Sequence, residues 1–297
     1  MPQLKTNCKA VFPSCHRGAM DPLYCIHSSP LAAKAAELRS RLWRLQPGLI
    51  AVSGGIDSRV LFAVARTADL DFLPVFFSGP HLSPEEQRQG RKLLAAWGGH
   101  GHVLEVNPLL EESVRANEVM RCYHCKRLLF ATALQLGRYL ERPHILEGSH
   151  KDDVDDYRPG RKALEELGIF SPLAEAGLSK GDIRSLAQIM QLDLPEQPSR
   201  PCLLTRFAYG LRPVPEKLPQ IGRFEDQMRG QGFRDFRLRV PAQESHVLQI
   251  AEAEKELYPT RKKELEHALS RLGLQPCTVR FSPRVSGFFD GDGSIGA

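Results

Sequence analysis

Nothing in the 297 residues reads as a membrane span, because no run of about 18 or more apolar residues occurs anywhere. Residues 1–30 lack the continuous apolar core of an export signal. They read as an irregular extension, with Met20 as a second start point. The expectation is therefore a cytoplasmic protein, a setting in which structural disulfides are rare. Its seven cysteines then need another account. Charge of one sign is also not in strong excess: 40 Lys and Arg face 35 Asp and Glu, for a net charge of +5. That suits phosphate-bearing ligands and is too small to argue for nucleic acid. No internal repeat is visible. What is there is ordinary globular composition, 42% hydrophobic and 25% charged, enough for one large core or two smaller ones.

Leu31, Leu38, Leu42 and Leu45 recur at helical spacing over 31–45, and Pro47-Gly48 ends that helix. Leu49 to Val52 is a short apolar run suited to a buried parallel strand. Val60, Leu61 and Val64 then share a helix face. The alternation continues with a strand at 72–77, a helix opened by Ser83-Pro84-Glu85-Glu86, a strand at 102–106, a helix at 122–140 and a strand at 144–147. This βαβα order predicts an α/β fold, a parallel sheet with helices on both faces, whose ligands bind at the carboxyl ends of the strands. Ser179-Lys180-Gly181-Asp182 reads as a helix start. Pro195, Pro198 and Pro201 mark a break. The division expected is an extension over 1–30, a nucleotide domain over 31–198 and a smaller C-terminal α+β region over 199–297. Arg200 to Arg239 holds nine basic and four acidic residues. Residues 243–272 read as helical, and the last fifteen as loose.

The strongest chemical signal is Ser53-Gly54-Gly55-Ile56-Asp57-Ser58 between a strand and a helix. Gly54 and Gly55 allow backbone angles that let several N–H groups converge on an anion, and the following helix brings its positive end to the same point. Ser53 and Ser58 add hydroxyls, and Asp57 is suited to Mg2+ on phosphate oxygens. No Lys stands in the Walker position. The motif resembles the PP-loop ATP pyrophosphatase superfamily, whose members include GMP synthetase, NAD synthetase and tRNA sulfur transferases. The resemblance implies an adenine nucleotide alpha hydrolase-like fold and adenylation of a substrate oxygen by ATP, with release of pyrophosphate.

Cys122-x-x-Cys125 opens a helix beside Arg121 and Lys126, a setting that favours thiolate. Cys202 stands between Arg200 and Arg206. Inert burial, a zinc site with His124, a redox pair and an iron–sulfur ligand set are all compatible with this spacing. Cys8, Cys15, Cys25 and Cys277 lack a comparable setting.

The run Gly148-Ser149-His150-Lys151-Asp152-Asp153-Val154-Asp155-Asp156-Tyr157-Arg158-Pro159-Gly160 is followed by Ser171-Pro172-Leu173, Lys180, Cys202-Leu203 and Arg206-Phe207-Ala208-Tyr209-Gly210. In this order the segments resemble the LarE-type family of ATP-dependent sulfur transferases that make the nickel-pincer cofactor. The resemblance implies adenylation of pyridinium-3,5-biscarboxylic acid mononucleotide and exchange of oxygen for sulfur. It implies roles for Lys180 at the ATP phosphates, for Arg206, Arg237 and Arg239 at the substrate, and for Glu225 near the active cysteine. Cys122, Cys125 and Cys202 match a subgroup that holds a 4Fe-4S cluster, favoured here over a subgroup whose single cysteine surrenders its own sulfur. The partners expected are ATP, Mg2+, a small phosphorylated pyridinium substrate, an unidentified sulfur source and further copies of the chain. Ser149-His150 departs from the family's Thr-Asn, and Val240-Pro241-Ala242 departs from its His-Gly stretch. The acidic run at 152–156 reads equally as a magnesium-orienting segment and as a solvated loop. Competing readings are tRNA thiolation, ammonia-dependent amide synthesis with a glutaminase, and a nucleotide sensor without catalysis.

Overall fold

The computed structural model describes residues 29–153, 159–193, 195 and 200–290. Met20, Cys8, Cys15, Cys25, Val154 to Arg158, Pro198 and the glycine-rich tail from 291 lie outside the described residues. The chain forms two compact units: 1–78, 88–106 and 122–199 make the first, and 79–87, 107–121 and 200–297 the second.

In the first unit the elements are α1 (Pro30–Leu45), β1 (Gly48–Ala51), α2 (Ile56–Thr67), β2 (Phe72–Ser78), α3 (Pro84–Ala96, shared between the units in sequence), β3 (His102–Glu105), α5 (Arg121–Tyr139), β4 (His144–Leu146), α6 (Pro159–Glu166), α7 (Pro172–Glu175) and α8 (Lys180–Ile189). Helix α4 (Glu112–Arg115) belongs to the second unit. The four strands form a parallel sheet in the order β3-β2-β1-β4, flanked by helices. Leu49, Val75, Ile145, Phe130, Ala133 and Leu164 pack as one buried cluster. Near-continuous burial of β1 explains its apolar run, since a parallel strand is covered on both faces. Gly48 is required there: a Cβ would lie 2.7 Å from the Phe72 ring and 2.8 Å from the His144 carbonyl.

The strand order has a direct consequence for ligand binding. From β1 the chain proceeds to β2 and β3 on one side, then returns to place β4 on the other. The switch point therefore lies between β1 and β4, and sheets of this kind bind ligands at the carboxyl ends of the strands beside it. The segments that follow these strands are 52–55 and 147–150.

Helix starts follow the sequence signals closely. Ser179 accepts from Asp182 N, and Asp182 Oδ2 accepts from Ser179 N at 2.9 Å, a reciprocal capping box. Ser83 and Glu86 make the same exchange at α3, with Glu86 N to Ser83 Oγ at 3.2 Å and Ser83 N to Glu86 Oε2 at 2.9 Å.

The second unit contains α9 (Lys217–Gly230), β5 (Phe236–Ala242), β6 (Ser245–Ala251), α10 (Leu257–Arg271) and β7 (Cys277–Ser282). Its sheet runs β5-β6-β7, with β5 antiparallel and β7 parallel to β6. The expected helix over 243–272 is correct only from Leu257 onward. Ser245–Ala251 is instead the central strand, because pairing on both edges satisfies its backbone while Val247, Leu248 and Ile250 suit a pleated surface. Among the described residues no helix is long and apolar enough to cross a membrane.

Candidate functional site

The Ser53–Ser58 loop leaves the carboxyl end of β1 and turns into α2. Val52 N still bonds to Val75 O at 2.8 Å, so the strand is held up to the turn. Gly54 takes φ +80°, a value that L side chains rarely adopt, and nothing fills the space where its Cβ would be. Ser58 Oγ ties the turn together by accepting from Ser53 N at 3.1 Å and bonding Gly55 O at 3.1 Å. The two serine hydroxyls stand 3.4 Å apart, so both are engaged inside the loop. Gly55 N-caps α2 without a side-chain cap, leaving the amino end of a twelve-residue helix to meet an anion.

Asp57 and Lys180 are distant in sequence and adjacent in space. Lys180 Nζ donates to Asp57 Oδ1 at 2.6 Å and Oδ2 at 2.7 Å. Lys180 is the first residue of α8, and its backbone N donates to Asp152 Oδ2 at 2.8 Å. The segment after β4 closes on the same loop. A Cβ on Gly148 would lie 3.0 Å from Ser58 N and 3.2 Å from Ser58 Cα. Beside it, buried Glu147 accepts from Ser149 N, Ser149 Oγ and Ser171 Oγ at 2.9, 2.9 and 2.6 Å. Lys126 Nζ lies 4.0 Å from Glu147. His150 N bonds Asp153 at 3.1 Å, which gives one half of the described acidic run a structural task.

In the second unit Cys202 is half-buried and stands immediately before a short 3-10 turn, Leu203–Arg206. Its carbonyl accepts from Thr205 N at 3.0 Å, Thr205 Oγ1 at 2.7 Å and Arg206 Nη1 at 3.4 Å. Leu203 N bonds the His81 carbonyl at 2.9 Å. Arg206 and Glu225 face each other as a two-pronged pair, Nε to Oε1 and Nη2 to Oε2, both at 2.7 Å. Each side chain is only 1% exposed, so Glu225 is no helix-surface acid. Arg237 and Arg239 are both buried on β5. Burial first, and the neighbouring Arg206 second, pull Arg237 down to about 10 and Arg239 to about 9. Both stay charged at neutral pH, so this unit gathers positive charge in a poorly solvated place.

The first unit thus brings together Ser53, Gly54, Gly55, Asp57, Ser58 and Lys180, and the second gathers Cys202, Arg206, Glu225, Arg237 and Arg239. The expected ligand set of Cys122, Cys125 and Cys202 is not found. Among the described residues no group of three or more His, Cys, Asp or Glu side chains is placed to hold a metal ion. Cys122 and Cys125 ride on the first turn of α5, and Cys202 stands before its own 3-10 turn. Arg121, beside Cys122, is buried. Its guanidinium turns to Asn117 Oδ1 and to Leu204 O at 3.1 Å.

His81, Thr205 and Glu147 escaped the sequence reading. Burial lowers the His81 imidazole to about 4, which keeps it neutral, and its Nδ1 makes no hydrogen bond among the described residues. Only its place beside the cysteine turn distinguishes it, and no local pattern announces that.

No family model matches the chain. It is 36% identical over 211 residues to the uncharacterized protein slr1717 of Synechocystis sp., covering 70% of this chain and 78% of that protein. It is 29% identical over 215 residues to pyridinium-3,5-bisthiocarboxylic acid mononucleotide synthase of Lactiplantibacillus plantarum, covering 70% of this chain and 76% of the synthase. The uncharacterized protein MJ0830 of Methanocaldococcus jannaschii is 28% identical over 181 residues, 61% of this chain and 69% of that protein. With that coverage and identity, the chain belongs to the family of slr1717, a LarE-like family to which the Lactiplantibacillus synthase is a more distant relative.

Proposed function

We propose that this protein is an ATP-dependent sulfur transferase of the PP-loop type. It adenylates a carboxylate, with release of pyrophosphate, and replaces a carboxylate oxygen by sulfur. The observation that carries this reading is the Ser53–Ser58 loop at the carboxyl end of β1, with Lys180 Nζ placed on Asp57. Backbone N–H groups and the amino end of α2 suit the ATP phosphates. Asp57, an oxygen donor at that point, would hold Mg2+, which supplies charge neutralisation between phosphate oxygens. Lys180 is a compact cation for the departing pyrophosphate, and Asp57 keeps it at hand.

The substrate we infer is pyridinium-3,5-biscarboxylic acid mononucleotide, the carboxylate precursor of the product named for the Lactiplantibacillus relative. Arg206, Arg237 and Arg239 set a positive potential that suits its phosphate and carboxylates. The C-terminal region from 199 is proposed as the substrate and sulfur-transfer part of the chain.

Cys202 is the proposed sulfur donor. Its thiolate attacks the acyl-adenylate carbonyl, a C–S bond forms, and AMP leaves with the former carboxylate oxygen. Loss of the Cys202 Cα proton to a base then breaks the Cβ–S bond. The substrate departs as a thiocarboxylate and Cys202 is left as dehydroalanine. A second round on the other carboxylate needs a second equivalent of sulfur. Glu225 holds Arg206, and Arg206 and Thr205 hold the Cys202 carbonyl, so the turn is fixed before substrate arrives.

Pyrophosphate release from Mg-ATP is the test, measured with and without the pyridinium dicarboxylate. Release should depend on the dicarboxylate. Cys202→Ala should keep that release and form no thiocarboxylate. Thiocarboxylate production by Cys202→Ala would sink the assignment of the donor.

A further inference from the structure

We infer that Arg239 is a positioning residue, the peg by which the C-terminal segment 282–290 holds the Cys202 turn in place. Three of its donors are spent inside the protein. Nε bonds Gln249 Oε1 at 3.1 Å, Nη1 bonds Thr205 O at 3.1 Å, and Nη2 bonds Val285 O at 2.6 Å. One guanidinium therefore joins the central strand β6, the turn that carries Cys202, and the segment that follows β7. Thr205 passes the constraint on, since its N and Oγ1 both bind the Cys202 carbonyl.

The segment is built to keep that guanidinium. Phe288 and Phe289 stand edge to face, with centroids 4.9 Å apart, and the Arg239 guanidinium carbon lies 5.3 and 5.8 Å from their centroids. Gln249 Nε2, on the strand side, reaches Arg284 O at 3.2 Å. Farther along, Tyr209 OH donates to Asp290 Oδ1 at 2.8 Å, on the chain just past the cysteine turn. Such a set of contacts fixes where the turn lies and how readily it opens. Three of the five N–H groups of Arg239 thus face two carbonyls and a side-chain amide of the protein itself, which is how the guanidinium holds the turn.

The importance of the turn rests on Cys202 being the sulfur donor; the mechanical claim is tested without that chemistry. Full-length wild type, Arg239→Lys and Phe288→Ala/Phe289→Ala are exposed to iodoacetamide with no ATP or substrate present. Alkylation rates at Cys202 and Cys277 are read peptide by peptide by mass spectrometry. Cys277 is the internal reference, because it lies in β7 of the same unit. Loss of the peg should raise the Cys202 rate about fivefold in both variants, the scale of one cation–π contact feeding a local opening, with Cys277 changing less than about twofold. If Arg239→Lys does not fold, the double phenylalanine variant decides alone. An unchanged Cys202 rate would show that the turn is held without Arg239. A parallel rise at Cys202 and Cys277 would make Arg239 a general stabiliser of the unit, and either result overturns the inference. Failure of sulfur transfer leaves these rates untouched, so the two ideas fail separately.

Discussion

Replacing Glu225 by Gln removes one charge from a place where four donors meet two oxygens. Oε1 accepts Arg206 Nε at 2.7 Å and Leu238 N at 3.0 Å; Oε2 accepts Arg206 Nη2 at 2.7 Å and Arg229 Nη2 at 3.2 Å. Glutamine keeps one acceptor oxygen and turns an NH2 toward guanidinium donors. Arg206, 1% exposed, is left as a buried charge without its counter-ion, a loss of about 3–5 kcal/mol. The titration of Glu225 gives a second measure. Burial alone would raise its pKa, but Arg206, then Arg229 and the Leu238 N–H, outweigh burial and bring it from 4.5 to about 2. That gap is worth roughly 3 kcal/mol. The folded-state value is depressed, so the stabilisation is complete above pH 4.5 and fades as pH falls toward 2. Urea unfolding followed by circular dichroism should show Glu225→Gln destabilised by about 3 kcal/mol or more at pH 7, and the gap to wild type should narrow near pH 3. A cost below about 1 kcal/mol at pH 7, the level of an exposed pair, would refute the reasoning.

Other expectations concern the phosphate loop. Asp57→Ala removes both the magnesium oxygen and the seat of Lys180, and pyrophosphate release should fall by about 10²-fold or more. Lys180→Met should lower turnover on a similar scale, about 10²-fold, because it removes the cation held on Asp57. Gly148→Ala places a methyl 3.0 Å from Ser58 N, so the loop must move. Its KM for ATP should rise by about tenfold with little change in the urea midpoint, checked by pyrophosphate release and by unfolding. A Gly148→Ala enzyme with wild-type kinetics would show that the segment after β4 does not shape the nucleotide site.

Much of the first unit was legible because its rules are local. The apolar run of β1, the glycine turn and the capping residue Ser179 each carry their own signal within a few residues. The 245–251 strand was not legible, since VLQIAEAEKEL fits a helix as well, and only pairing with strands on both sides decides the matter. The site behaves in the same way. The loop was visible as a motif, whereas the Lys180–Asp57 contact joins residues 123 apart in the chain. Nothing local to Glu225 announces its buried pairing with Arg206, 19 residues away. The three-cysteine set rested on spacing that placed Cys122 and Cys125 together, and nothing in the spacing located Cys202.

The mass of the intact chain after a single turnover tests the central claim most directly. The protein, free of reductant, is mixed with Mg-ATP and pyridinium-3,5-biscarboxylic acid mononucleotide, and the chain and small molecules are weighed together. The account predicts loss of one hydrogen sulfide from the chain, mapped to Cys202, matched by one thiocarboxylate, one AMP and one pyrophosphate. Thiocarboxylate formed with Cys202 intact, on protein carrying iron and labile sulfide, would contradict Cys202 as the donor, and no pyrophosphate with both nucleotides present would contradict the reaction itself.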